Sequence, residues 1–369
     1  VCSSDLKGDR RDPVAAAGFP VMRGLPSRVC RRNGIPAEVV QEIEMRGWRK
    51  IRDQFSQVAR IPRRWLGHPD LRSMRRKVDH LQQDVEHLLH RLHPELTAPE
   101  ARMAQDGSPV DYEARGYSQN GEDGLLLHIL SEIGVAGHRI VEIGCGCGAE
   151  CNSALLSCCF GWHALLFDRD RTQLDRARMF FESKGAGDRV RLIHQEVQPD
   201  DIDRLLVEDG QGDELDVLSI DVDGFDFWLW KHLSAIRPRV VIIEVNASFG
   251  PGVSRTVPWS PGASHHDPFR HHVRGWHHGA SLRAMESLGR GKGYMLVALE
   301  STGTNAFFLR DDLLIASLPR LDPQQVWRPH QVRSRRHSPD AQARSLEELP
   351  FLEVDDCGEI NREEQLTGR

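Results

Sequence analysis

Residues 139–148 read Arg-Ile-Val-Glu-Ile-Gly-Cys-Gly-Cys-Gly, and no other run constrains the fold as tightly. An apolar strand ending in Gly144-x-Gly146-x-Gly148 and feeding a helix lets backbone approach a ligand closely. The same turn presents the N–H groups of the helix N-terminus to that ligand. Such a turn belongs between a parallel strand and its crossover helix. The surrounding residues agree, because from Tyr117 onward short apolar runs alternate with amphipathic stretches. The runs predict strands at Arg139–Ile143, His163–Phe167, Val190–His194, Val217–Ile220 and Val240–Val245. Helices are predicted near 151–160, 171–184, 200–208, 227–236 and 281–289. Two last strands, Tyr294–Glu300 and Asn305–Leu309, are joined by Ser-Thr-Gly-Thr and read as a hairpin. Together they predict an α/β, Rossmann-like, doubly wound, mostly parallel seven-stranded sheet over residues 111–319.

The flanks read differently. Residues 1–35 mix Gly, Pro and Arg without a period and are expected to be disordered. Within them, Val1–Leu6 is the peptide that a common sequencing-adapter end encodes, and it is set aside from fold reasoning. Residues 36–110 are expected to form a helical arm. In it, Leu71, Met74, Val78, Leu81, Val85, Leu88 and Leu92 keep a 3, 4 alternation. That heptad seam over 71–92 suits a coiled-coil homodimer, or packing of the same stripe onto the body of the chain. The tail at 320–369 is rich in Pro, Arg and His. Its apolar patch Leu349-Pro350-Phe351-Leu352 is placed to dock back on the body.

Charge and composition narrow the partners. No run approaches the ~18 apolar residues of a membrane span, and no secretory signal is legible. A cytoplasmic protein is the expectation. Residues 1–110 carry 20 Lys/Arg against 14 Asp/Glu, and the rest of the chain carries 28 against 40. So acidic a body argues against nucleic acid as the partner. Five of the eight cysteines fall between Cys145 and Cys159. Neighbours that close rarely reach disulfide geometry, and no paired C-x-x-C knuckle appears. They read as reduced structural thiols.

The glycine loop by itself admits two cofactors. Gly144, Gly146 and Ala149 also satisfy the looser dinucleotide pattern, so a nicotinamide nucleotide is a rival. Glu142, two residues before the glycines, tips the choice. A carboxylate there suits a cationic methionine moiety and would repel a pyrophosphate. Asp168 closes the second strand, where a carboxylate accepts both ribose hydroxyls. Glu150, Asn152 and Glu196 stand where they could line a nucleoside.

The fourth strand runs into Asp221-Val222-Asp223-Gly224-Phe225-Asp226. Ligands in open α/β sheets sit beyond the carboxyl ends of the strands, so these carboxylates face the acceptor side. With Glu244 and Asn246 at the end of the fifth strand they offer oxygen ligands for Mg²⁺. The loop 247–278 carries His265-His266, His271-His272 and His277-His278, and its length suggests a lid. Next to Gly279, His277 and His278 are its best candidates for acid–base work.

Residues 117–315 resemble the FkbM-like branch of class I methyltransferases. The matching pieces are Tyr-Ser-Gln-Asn-Gly-Glu-Asp-Gly at 117–124, Val-Glu-Ile-Gly at 141–144, Glu-Cys-Asn-Ser at 150–153 and Gly-Trp-His-Ala-Leu-Leu-Phe-Asp at 161–168. Others are Ser-Ile-Asp-Val-Asp-Gly at 219–224, Val-Val-Ile-Ile-Glu-Val-Asn at 240–246, Gly-Ala-Ser-Leu at 279–282 and Asn-Ala-Phe-Phe at 305–308. The resemblance implies S-adenosylmethionine on Glu142, Gly144 and Asp168, with Gln119, Glu122 and Asp123 near the cofactor entrance. Gly146, Gly148, Asn152 and Glu196 complete the expected cofactor set. It also implies O-methylation of a sugar, glycan or small metabolite. Asp221 or Asp223 is then the expected base, with His278 next. Two other readings stay open: a catalytically degenerate binding or assembly protein, whose cue is the coiled-coil arm, and an NAD(P)-dependent oxidoreductase.

Overall fold

The computed structural model describes Pro109 and residues 112–208, 215–263 and 265–360, all within the unit Met74–Arg369. The expected disordered start and the heptad seam lie outside the described residues, as does the helical arm except for Pro109.

Seven strands build one sheet: β1 (Arg139–Ile143), β2 (His163–Asp168), β3 (Val190–His194), β4 (Val217–Ile220), β5 (Val240–Glu244), β7 (Tyr294–Leu299) and β8 (Asn305–Arg310). A two-residue strand, β6 (Arg255–Thr256), lies apart from it. The sheet order is β3-β2-β1-β4-β5-β8-β7. β1 to β5 pair in parallel, and β8 enters antiparallel between β5 and β7. The predicted strands and terminal hairpin are all present, with ends differing by a residue at most. Val217–Ile220 and Val240–Glu244 are buried throughout. Parallel strands covered on both faces read as continuous apolar runs for this reason.

Helices cover both faces: α1 (Glu122–Ile133), α2 (Ser153–Phe160), α3 (Arg171–Ser183), α4 (Ile202–Glu208), α5 (Asp226–His232) and α6 (Leu282–Gly291). The period of two along each strand sorts its side chains between two cores. Leu218, Ile220, Val241 and Ile243 join Phe227, Trp230 and Met285 on one face. Val217, Val240 and Ile242 join Leu125, Ile129, Leu174 and Phe181 on the other. Asp170 caps α3 by accepting from the N–H groups of Thr172 and Gln173, and Ser281 caps α6 through that of Ala284. α5 stops short of the predicted residue 236. The Asp203 carboxylate takes the N–H groups of Ser234 and Ala235, holding the chain in a turn there.

Two features exceed the sequence expectation. Helix α1 is one. The other is the C-terminal segment, which holds α7 (Pro323–Val326), α8 (Gln331–Ser334), α9 (Pro339–Leu346) and β9 (Leu352–Glu353). β9 pairs antiparallel with β6. Phe351 lies 4.7 Å from Phe249, ring centre to ring centre, and 4.5 Å from His277. Leu352 and Leu346 are buried. The tail is therefore part of the wall that faces the ends of β4 and β5.

Trp230 is fully buried, with its ring 4.8 Å from that of Phe308. Trp230→Ala should cost ~3–5 kcal/mol in urea unfolding; a loss under ~1 kcal/mol would contradict this packing.

Candidate functional site

The strand order reverses between β1 and β4, and a crevice opens there at the carboxyl ends of the strands. A cleft of about 620 Å³ occupies it. Its lining comes from Gly144 and Gly146 after β1, Asp168 to Asp170 after β2 and Gln195 to Gln198 after β3. Asp221 to Asp223 follow β4, and Glu244 ends β5. Gln119, His265, His266, Thr302, Thr304 and His330 to Val332 close the sides.

The glycine loop is held by its neighbours. Gly144 donates its N–H to the Phe167 carbonyl oxygen at 2.9 Å. A Cβ on Gly144 would stand 1.7 Å from the Asp221 carbonyl oxygen, so the loop after β4 crosses directly over it. A Cβ on Gly146 would meet nothing within 4 Å. This glycine leaves backbone open to the cleft. Asp168 ties the two loops together. One carboxylate oxygen accepts from Gly146 N–H at 2.8 Å and the other from Asp170 N–H at 2.7 Å. Each oxygen keeps a lone pair for a further donor. Glu196 also faces the cleft and lies 3.8 Å from the Arg169 guanidinium.

Other expected cofactor residues lie outside the lining and do structural work. The Glu142 carboxylate is buried and accepts from the N–H groups of Asn152 and Ser153, both at 2.9 Å. It caps α2 from below. Asn152 adds a side-chain bond to the Ser219 hydroxyl at 3.0 Å. One oxygen of Asp123 accepts from Gly116, Tyr117 and Ser118 N–H, which folds the 116–123 turn. Glu122 accepts from the Asn305 side chain at 2.7 Å. Gly148 packs against α3, where a Cβ would stand 2.9 Å from the Phe181 ring. Glu150 is exposed.

The acceptor side is a carboxylate cluster. One oxygen each from Asp221, Asp223 and Glu244 lie within 4.8 Å of one another. Burial raises all three pKa values, and for Asp221 and Asp223 the neighbouring Glu244 carboxylate adds to it. For Glu244, burial lifts the value to about 7 against a smaller pull from Arg333. Asp226 belongs to the same run but turns away. Its carboxylate accepts from Val222 and Gly224 N–H and shapes the loop. Asp223 takes a left-handed φ of 55°, a conformation Asp tolerates better than most residues.

His278 is 3 % exposed and absent from the cleft lining. Its Nε2 lies 2.8 Å from the Arg333 guanidinium. Arginine can only donate, so Nε2 accepts and the ring proton sits on Nδ1. Nδ1 in turn lies 3.5 Å from Glu244 Oε2. Burial, with the Arg333 charge, pushes His278 down to about 4. It serves as a bridge rather than as a base open to a ligand. Asn246 is also occupied, donating to the carbonyls of Trp276 and His278 and accepting from Ser248 N–H and Arg333. His277 is buried, while His265 and His271 are exposed.

Sequence reasoning missed His330, Gln331, Val332 and Arg333. The available signals were Asp322-Pro323 and Ser338-Pro339, each an N-cap followed by proline at the first helical position. They announce helices in a tail that lacks a long apolar period.

No family model matches the chain, and no curated protein matches it. Solved structures with similar chain traces include the O-methyltransferase from Bacillus cereus in complex with SAH, at 17% identity and a TM-score of 0.33. That match covers 63% of this chain and 89% of the other. Another is an S-adenosylmethionine-dependent methyltransferase from Clostridium acetobutylicum, at 16% identity and a TM-score of 0.28. There the match covers 40% of this chain and only 60% of the other. At such values the functional reading rests on the cleft itself.

Glu244 moves from an ordinary 4.5 to about 7 in the folded chain. A raised carboxyl holds its proton better in the folded state. Its contribution to stability is therefore full below the unfolded pKa and is lost as pH rises through the folded one. In chelator-treated protein, Glu244→Gln should gain thermal stability relative to wild type as pH rises from about 5 to about 8. A difference that stays constant with pH would contradict the buried carboxylate.

Proposed function

We propose that the protein is an S-adenosylmethionine-dependent methyltransferase acting on a hydroxyl of a polar small molecule, a sugar or similar metabolite. One observation carries the reading over a nicotinamide enzyme. A dinucleotide pyrophosphate would sit on the free N–H groups at the start of the first crossover helix. Here the Glu142 carboxylate already takes the N–H groups of Asn152 and Ser153. Carboxylates outnumber the one arginine in the lining, Asp168, Asp170, Glu196, Asp221, Asp223 and Glu244 against Arg169. Such a wall repels phosphate and attracts a sulfonium cation.

When bound, S-adenosylmethionine supplies an electrophilic methyl group for in-line transfer to the acceptor oxygen. The chain's residues would do the following. Asp168 accepts the ribose hydroxyls with its remaining lone pairs, and Gly146 admits the cofactor against bare backbone. Gln119 and Glu196 line the two sides of the pocket. Asp221 or Asp223 takes the proton that the acceptor hydroxyl gives up. Polar groups from the tail and the hairpin, Gln331, Thr302 and Thr304, suit an acceptor rich in hydroxyls.

Titration calorimetry should show binding of S-adenosylhomocysteine and none of NADH. Asp168→Ala should weaken it by roughly tenfold or more, the value of two lost hydrogen bonds. Asp221→Asn should lower kcat by ~100-fold or more while sparing S-adenosylhomocysteine affinity. No response to S-adenosylhomocysteine, or full turnover by Asp221→Asn, would sink the corresponding part of the proposal. Binding without turnover on any hydroxyl acceptor would favour the non-catalytic binding protein.

A further inference from the structure

Many arginines of this chain are answered by a carboxylate. Arg204 reaches Asp201 at 2.7 Å, and Arg320 reaches Glu286 at 2.8 Å. Arg255 reaches Glu353 and Arg310 reaches Asp312, both at 2.6 Å. One region departs from this. Residues 265–276 and 328–344 carry seven arginines against two aspartates, Asp267 and Asp340, in a body where acidic residues outnumber basic ones. Of these, Arg270, Arg274, Arg335, Arg336 and Arg344 are exposed, and among the described residues none of the five makes an ion pair.

The two segments form one surface. A Cβ on Gly275 would stand 2.9 Å from the Phe269 ring, so that ring lies across bare backbone. The Arg274 guanidinium sits 5.4 Å from the centre of the Trp276 ring. That ring in turn lies 5.1 Å from His337, the neighbour of Arg336. Two apolar side chains project from this basic surface, Phe269 at 66 % exposed and Val273 at 82 %. They are two of the three most exposed large apolar side chains among the described residues, and each is followed directly by one of the unpaired arginines. Scattered apolar residues on a surface need no explanation, but this pairing with unanswered charge does.

We propose that this face docks on an anionic membrane surface, with Phe269 and Val273 entering the interface and the five arginines meeting lipid phosphates. A guanidinium fork matches a phosphate, and each basic residue beside an anionic bilayer is worth about fivefold in binding. Nucleic acid offers the phosphates but no apolar layer for Phe269 and Val273. A lipid surface offers both, and it takes arginines spread over two segments without requiring a matched set of partners. The cleft is adjacent, because His265, Gln331 and Val332 of the same two segments line its side. Docking brings that side of the cleft to the bilayer, within reach of an acceptor carried on a lipid. That last step rests on the methyltransferase reading, whereas the docking itself does not.

Co-sedimentation of the full chain with vesicles tests it. Mixed phosphatidylglycerol and phosphatidylcholine vesicles should bind the chain, less tightly as salt is raised, and phosphatidylcholine alone should not. Arg335→Glu with Arg336→Glu should weaken binding by at least about twentyfold, the effect of two such residues. Phe269→Ser with Val273→Ser should weaken it roughly tenfold at unchanged charge. All four positions are exposed, so both variants should keep the wild-type circular dichroism and melting temperature. No binding to the phosphatidylglycerol vesicles, or undiminished binding by the arginine variant, would overturn the proposal. Undiminished binding by the Phe269 and Val273 variant, with equally tight binding of a duplex oligonucleotide, would make nucleic acid the partner instead. S-adenosylhomocysteine affinity, measured separately, reports on the methyltransferase reading whatever the vesicle result.

Discussion

The open end of the sheet depends on how its carboxylates are satisfied. A doubly wound sheet ends its parallel strands in a crevice where loops cross and backbone N–H groups need acceptors. Acidic side chains supply them. Glu142 caps α2, Asp168 binds the glycine loop to the end of β2, and Asp226 shapes the turn after β4. These bonds bring Gly144 against the Asp221 carbonyl, a contact closed to any residue with a Cβ. The crevice has its shape because these acids are spent on backbone.

The same division explains why motif residues and cleft residues differ. Glu142 lies outside the cleft lining and occupies the N–H groups of Asn152 and Ser153 at the start of α2. His278 acts one step back from the cleft, as a neutral ring between Arg333 and Glu244. The C-terminal segment reaches the site by the same route. Pairing of β9 with β6 and burial of Leu346 and Leu352 fix the segment, and Arg333 connects it to the floor of the cleft.

Much of the fold was legible because its signals are local. Val240–Glu244 and Val217–Ile220 are apolar runs of strand length, and Ser-Thr-Gly-Thr can hardly be anything but a turn. Helix α1 escaped because it begins at glycine without a side-chain cap and with a weak apolar stripe. The helices of the tail escaped because two of them have four residues and the third eight, too few to show a period. At the site, Asp168, Gly144, Gly146, Asp221 and Asp223 were legible from their positions at strand ends. Glu142, Asp123 and Asn152 were expected among the cofactor residues, whereas the structure has them outside the cleft lining, bonded within the fold. Whether a carboxylate faces a ligand or a backbone N–H depends on contacts across the fold. Arg333 met His278 from 55 residues away, and no spacing rule spans that distance.

In the proposed function, cofactor and acceptor share one cleft, the cofactor at Asp168 and the acceptor at the ends of β4 and β5. A crystal structure grown with S-adenosylhomocysteine tests this most directly. Ribose hydroxyls are expected on Asp168, with the homocysteine sulfur turned toward the ends of β4 and β5. Cofactor density away from the Gly144–Gly146 loop would contradict it.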